Sequence, residues 1–168
     1  MKIFGYCRFL IIISLLIGLA ACSSNPNRNM NMSVLAVHYL NPSVNDLPEP
    51  ITVTVYELKS PNQFKQATYN DLMFNATQSL GSDLIDKESF VIRPSDSNHY
   101  TISLSSDVKY VGIVASFRQI NQATWRQVIQ IPDLNSGKFK LLHSGSSVSL
   151  DINLQTNEMI INSPNKVK

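Results

Sequence analysis

The sequence predicts a mainly β protein: a β-sandwich of about eight strands with a short helical insertion after the second strand. Three observations predict it. Short segments rich in Val, Ile, Thr and Tyr alternate apolar with polar residues, the period of a strand with one face on a core. Pro, Asn, Ser and Gly interrupt the chain between those segments. Residues 62–80 alone change texture, with apolar residues spaced as on a helix.

Each element follows from its residues. Val34 to Leu40 is apolar and β-rich, a first strand. Asn41 to Pro50 is a loop, because Pro42, Pro48 and Pro50 block regular pairing. Ile51, Val53 and Val55 alternate with Thr52, Thr54 and Tyr56, which reads as a half-buried strand over Ile51 to Leu58. Ser60-Pro61 ends it. Phe64, Ala67, Leu72, Met73, Ala76 and Leu80 then predict one or two short helices, broken near Thr68 to Asn70. Asp71 falls in the first turn of the second, where a negative charge suits the helix dipole, and Gly81 is placed to end it.

The remainder is β in character. Ser89 to Arg93 is a short strand ended by Pro94, and Tyr100, Ile102 and Leu104 alternate with polar partners. Tyr110 to Phe117 is an unbroken apolar run, as in a strand covered on both faces. Trp125 to Ile131 is stopped by Pro132. Val148 to Leu154 alternates cleanly, and a turn at Gln155 to Glu158 leads into Met159 to Ile161. No internal repeat is legible, and a single domain is expected.

The N-terminus carries a different signal. Lys2 and Arg8 precede the apolar run Phe9 to Leu19, and Ala20-Ala21 lead into Cys22. These are the charged, apolar and small-residue zones of a secretory signal, and the run is too short to span a bilayer. Leu19-Ala20-Ala21-Cys22 resembles the lipobox of bacterial lipoproteins. That resemblance implies cleavage before Cys22, acylation of its thiol, and attachment by two or three chains, since one chain binds only marginally. It divides the chain into a signal peptide over 1–21, a lipidated Cys and flexible tether over 22–32, and one sandwich domain over 33–168. Ser23-Ser24 follow the Cys, with no Asp there to retain the protein at an inner membrane. The expected location is the outer membrane, facing the periplasm of a Gram-negative cell.

Processing also settles charge and thiol content. The net charge of +2 is carried by Lys2 and Arg8, so the mature chain is formally neutral and has no basic cluster for nucleic acid. Cys7 leaves with the signal and Cys22 is acylated. No thiol remains for a disulfide, a metal or nucleophilic catalysis.

Candidate chemistry is sparse. His38, His99 and His143 are far apart and lack carboxylates at metal-ligand spacing. His143-Ser144-Gly145-Ser146-Ser147 lacks a nucleophile elbow and reads as a polar turn. A hydrolase would have to use His143 and Ser146. Asp83, Asp86 and Glu88 read as a solvated loop lacking the ligand spacing and Gly of a calcium site. Trp125, Arg126 and Arg118 are weighed as core, surface ion pairs or recognition residues. No catalytic residue, metal or cofactor is expected beyond the covalent lipid. One feature points to a partner: the Asn41–Pro50 loop carries Val44 and Leu47 among prolines, and a proline-stiffened loop costs less to order on binding.

An ordered set of residues adds a resemblance. Leu40-Asn41, the Pro-containing loop and Ile51-Thr-Val-Thr-Val-Tyr56-Glu-Leu58 come first. Phe64, Tyr69, Leu72, Leu80-Gly81-Ser82-Asp83-Leu84 and Val91-Ile92-Arg93-Pro94 follow. Tyr110-Val-Gly112-Ile-Val-Ala115-Ser-Phe117-Arg118 and Trp125-Arg126 complete it. The set resembles the TssJ (SciN/VasD) family of type VI secretion outer-membrane lipoproteins. It departs from the pattern at Thr54, where an Arg is common, and at Ser95-Asp96, where Gly-Glu is common. The resemblance implies a transthyretin-like sandwich of two four-stranded sheets. It implies anchoring of the secretion membrane complex by binding the periplasmic C-terminal region of the inner-membrane protein TssM. It places contacts in the loop between the first two strands: Asn41, Pro42, Ser43, Val44, Asn45, Asp46, Leu47 and Pro48. The competing expectation is a periplasmic ligand-binding lipoprotein on the same sandwich, which would need a concave apolar site.

Overall fold

Strand β1 (Arg28–Ala36) begins inside the segment expected to be a tether. A computed structural model gives the fold and describes residues 28–131 and 147–165. Met30, Met32, Val34 and Ala36 face inward and are at most 4% exposed. Burying each methionine contributes about 1.5–3 kcal/mol, enough to hold an Asn-rich segment in a sheet. Arg28–Met32 therefore belongs to the sandwich and not to the flexible tether expected over 22–32. At its other end β1 stops before the expected Leu40, and the chain turns at His38 and Tyr39.

The remaining strands are β2 (Ile51–Leu58), β3 (Leu84–Ile92), β4 (Ser97–Leu104), β5 (Tyr110–Ala115), β6 (Arg126–Gln130), β7 (Val148–Leu154) and β8 (Met159–Asn165). They form two four-stranded sheets, ordered β4-β1-β7-β8 and β3-β2-β5-β6. The β1–β7 pair is parallel. The other pairs are antiparallel. The expected eight-stranded, mainly β sandwich is what the chain forms. β3 starts earlier than expected, so Asp86 and Glu88 lie on a sheet-edge strand and not in a loop. Charged residues on an edge deter pairing with other chains.

Two cores hold the layers together. Between the sheets, Met30, Met32, Val34, Ile102, Leu150, Ile152 and Leu154 meet Ile51, Val53, Val55, Val111, Ile113 and Ala115. On the outer face of the β3-β2-β5-β6 sheet, Tyr56, Leu58 and Val114 pack against Phe64, Leu72, Ala76 and Leu80. Those last four come from three short helices following β2: α1 (Asn62–Gln66), α2 (Tyr69–Phe74) and α3 (Ala76–Leu80). β2 is thus buried on both faces, not half-buried as its alternation suggests, because the helices cover its Thr54–Tyr56–Leu58 side. β5 is covered on both faces, as its unbroken apolar run predicts.

Local chemistry fixes the helices. Gly112 lies under α1: a Cβ there would stand 2.5–2.8 Å from the ring atoms of Phe64. The Tyr56 hydroxyl donates to the Leu72 carbonyl at 2.7 Å. Burial pushes its phenol up to about 12. Thr68 and Asp71 form a capping box at the start of α2. The Thr68 hydroxyl and N–H, both donating to the Asp71 carboxylate, hold that acid below its ordinary range. Gly81 ends α3 with φ of +53°.

The loop end of the sandwich

The loop joining β1 to β2 crosses from one sheet to the other, so it caps one end of the sandwich. Three other connections reach the same end: residues 93–96, 116–125 and 155–158. Backbone bonds knit them together. Asn41 N–H donates to Thr156 O at 3.1 Å, Ser95 N–H to Val37 O at 3.2 Å, and Thr124 N–H to Asn157 O at 3.2 Å.

Asn41 is the fastening of the loop. It is 5% exposed and adopts φ of +45°, a left-handed conformation that Asn tolerates better than most residues. Its side-chain oxygen accepts the Arg118 N–H at 2.7 Å, and its side-chain NH2 donates to the Pro50 carbonyl at 3.1 Å. One buried amide thereby closes the loop on itself and ties it to the exit of β5.

Above Asn41 the loop is internally bonded. Glu49 N–H donates to Leu40 O at 3.0 Å, and Ser43 N–H to Leu47 O at 2.8 Å. The Ser43 hydroxyl accepts Leu47 N–H at 3.2 Å. Asp46 takes φ of +65° at the tip. Its carboxylate accepts a hydrogen bond from the Tyr39 hydroxyl, and that bond raises the Tyr39 phenol above its ordinary 10.0. Glu49 pairs with Arg118, but both side chains are well exposed, so the pair adds little stability.

This geometry sorts the eight residues of the expected contact set. Asn41 and Pro42 are buried and frame the loop. Ser43 and Pro48 are half-buried, and Val44, Asn45, Asp46 and Leu47 form the exposed tip. Val44 is 88% exposed and Leu47 62%, so neither apolar side chain folds back. Cys22 lies outside the described residues.

Four more exposed apolar residues lie toward this end, on both sheets and the loop between them. Leu35, Tyr39, Val91 and Ile160 are 37–60% exposed, and each lies in the loop or within two residues of its strand's end on this side. Leu35 and Ile160 flank Asn153 in one row across β1, β7 and β8. In the sequence Leu35 is one residue of the apolar Val34–Leu40 run, and nothing local marks it as outward-facing.

Arg126 donates to the carbonyls of Phe64 at 2.9 Å and Ala67 at 2.7 Å, closing the end of α1. Its guanidinium also lies 4.8 Å from the Trp125 ring centre. It is a structural residue. The His38 ring meets the Ser95 hydroxyl at 3.2 Å, in a turn and not in a strand as expected. His99, on β4, meets Ser33 at 3.1 Å. His143 and Ser146 lie outside the described residues. Among the described residues no three His, Cys, Asp or Glu side chains gather to hold a metal. Two open depressions lie among the described residues, one over the outer face of β4-β1-β7-β8 and one beside residues 78–83.

Comparisons with known proteins agree with this architecture. Residues 28–157 match the family model described as "Type VI secretion lipoprotein, VasD, EvfM, TssJ". The crystal structure of the T6SS lipoprotein TssJ1 from Pseudomonas aeruginosa is similar, at 29% identity and a TM-score of 0.72, over 85% of this chain and 100% of that one. Lip from Serratia marcescens, a membrane-bound component of the type VI secretion system, shares the fold at 21% identity and a TM-score of 0.75, over 82% and 99% of the two chains. So does a chain from a structure described as the T6SS protein TssM C-terminal domain (869-1107) from EAEC, at 20% identity and a TM-score of 0.60, over 80% and 98%. No curated protein matches the chain.

Proposed function

The chain belongs to the type VI secretion lipoprotein family, and on that footing we propose that it anchors a type VI secretion membrane complex to the outer membrane. In this reading acyl chains on Cys22 hold the protein in the periplasmic leaflet, and its loop end binds the periplasmic C-terminal region of the inner-membrane TssM protein. It would turn over no substrate.

One observation carries the proposal: the two ends of the sandwich differ. Arg28, the residue nearest to Cys22 in the described chain, begins β1 at one end. The bonded loop, with Val44 and Leu47 exposed, stands at the other. β1 has nine residues, so the ends are about 26 Å apart. A rigid body held at one end and apolar at the other suits a bracket between an anchored lipid and an anchored protein. Confining both partners to facing membranes raises their effective concentration, so a modest contact suffices. The chain of similar fold from the TssM C-terminal domain structure supports TssM as the partner.

The open depressions do not favour the ligand-binding alternative, which needs a concave site that encloses its ligand.

The test is extraction of the protein from its native envelope. TssM is expected to co-purify with the wild-type chain, and Cys22→Ser is expected to leave the membrane fraction while staying folded. A Cys22→Ser chain that still fractionates with the outer membrane would refute the anchor. Absence of TssM from the wild-type extract would refute the partner.

A further inference from the structure

Given the lipid anchor proposed above, on which this inference rests, we infer that the Arg28 end of the sandwich is a membrane-facing surface seated on phospholipid headgroups. Only Ser23–Asn27 separate Cys22 from β1. Fully extended, the chain from Cys22 to Arg28 spans at most about 20 Å. An inverted domain would lift Arg28 more than about 26 Å from the bilayer, beyond that reach.

The chemistry of that end fits the same orientation. Arg28 donates to the Val108 carbonyl at 2.8 Å, which joins the start of β1 to the turn over residues 105–109. Lys109 N–H donates to Leu58 O at 3.0 Å, and Lys59 N–H to Asp83 O at 2.8 Å. The side chains of Lys59, Lys109 and Asp107 are exposed there. Among the described residues, no large exposed apolar side chain lies at this end. Leu35, Tyr39, Val44, Leu47, Val91 and Ile160 are all at the other, and Phe74 is on α2. A polar, mixed-charge end with lysines suits a zwitterionic and anionic headgroup layer. Asp107 and Asp83 offset part of the positive charge. The contact therefore orients the domain, while the acyl chains supply the affinity.

The experiment uses the acylated mature chain in vesicles of phosphatidylethanolamine and phosphatidylglycerol doped with headgroup-nitroxide lipid. Asp107→Cys and Asn45→Cys each introduce one free thiol for a fluorophore. Quenching at position 107 is expected to exceed that at 45 at least threefold. Equal quenching, or stronger quenching at 45, from protein that floats with the vesicles overturns the inference while leaving the anchor intact. Protein that fails to float removes the anchor reading and the inference with it. Inserting twelve Gly/Ser residues after Ser24 is expected to reduce the contrast without abolishing it, because the longer tether admits other orientations while the headgroup contact still favours the Arg28 end. A contrast lost altogether on insertion shows that tether length alone sets the orientation and overturns the headgroup contact.

Discussion

The side-chain oxygen of Asn41 accepts the backbone N–H of Arg118 at 2.7 Å, across 77 positions of sequence. The contact joins the β1–β2 loop to the exit of β5, so the loop inherits the rigidity of the opposite sheet. Replacing Asn41 by Ala removes this acceptor, strands a part-buried N–H and leaves a Cβ residue at positive φ. Asn41→Ala is expected to cost about 2 kcal/mol in urea unfolding. It should also weaken partner binding more than its stability loss explains. Unchanged stability would mean that the loop is held by its prolines alone.

Gly112 and Phe64 set the position of the helices. Phe64 is fully buried, so its ring has no free space into which to retreat from a new Cβ. Gly112→Ala is expected to destabilise the fold by about 1–3 kcal/mol, read as a lower urea midpoint. A wild-type midpoint would show that α1 can slide on β5.

Glu57 is buried on β2, where its carboxylate accepts the Ser105 N–H at 3.1 Å. Loss of solvation raises its pKa above the ordinary 4.5; the Ser105 bond opposes this, and Asp86 and Glu88 add to it. The folded state therefore holds this proton to higher pH than the unfolded chain does. Its stabilising effect is full below pH 4.5 and is lost as pH rises through the folded value. Relative to Glu57→Gln, the wild type should lose stability with rising pH across that window. Parallel stability curves for the two proteins would contradict this.

Much of the architecture was legible from periodicity, even where burial departs from it, as on β2, which the helices cover on its second face. The bounds of β2 and β7 match their alternation, and the unbroken Tyr110–Phe117 run marks a strand covered twice. The misses share a cause: local composition pointing away from a structure held by distant partners. Asn and Met disguise the start of β1, which is held by β4 and β7 from remote sequence. Asp86, Lys87 and Glu88 read as a loop because an edge strand carries charge without cost. At the site, proline content and the apolar Val44 and Leu47 made the loop visible. The Asn41–Arg118 fastening and the exposed Leu35 and Ile160 were not, since both depend on which strands become neighbours.

In the proposed bracket, the exposed loop tip binds the TssM periplasmic region. The most direct test is calorimetric titration of the TssM C-terminal periplasmic region into the mature chain, wild type against Val44→Asp/Leu47→Asp. These side chains are 88% and 62% exposed, so the double variant should keep its melting temperature. Saturable binding by the wild type and at least a tenfold weaker association for the variant, about 1.4 kcal/mol, is the predicted result. Equal affinity of the two folded proteins, or no binding by the wild type, would contradict it.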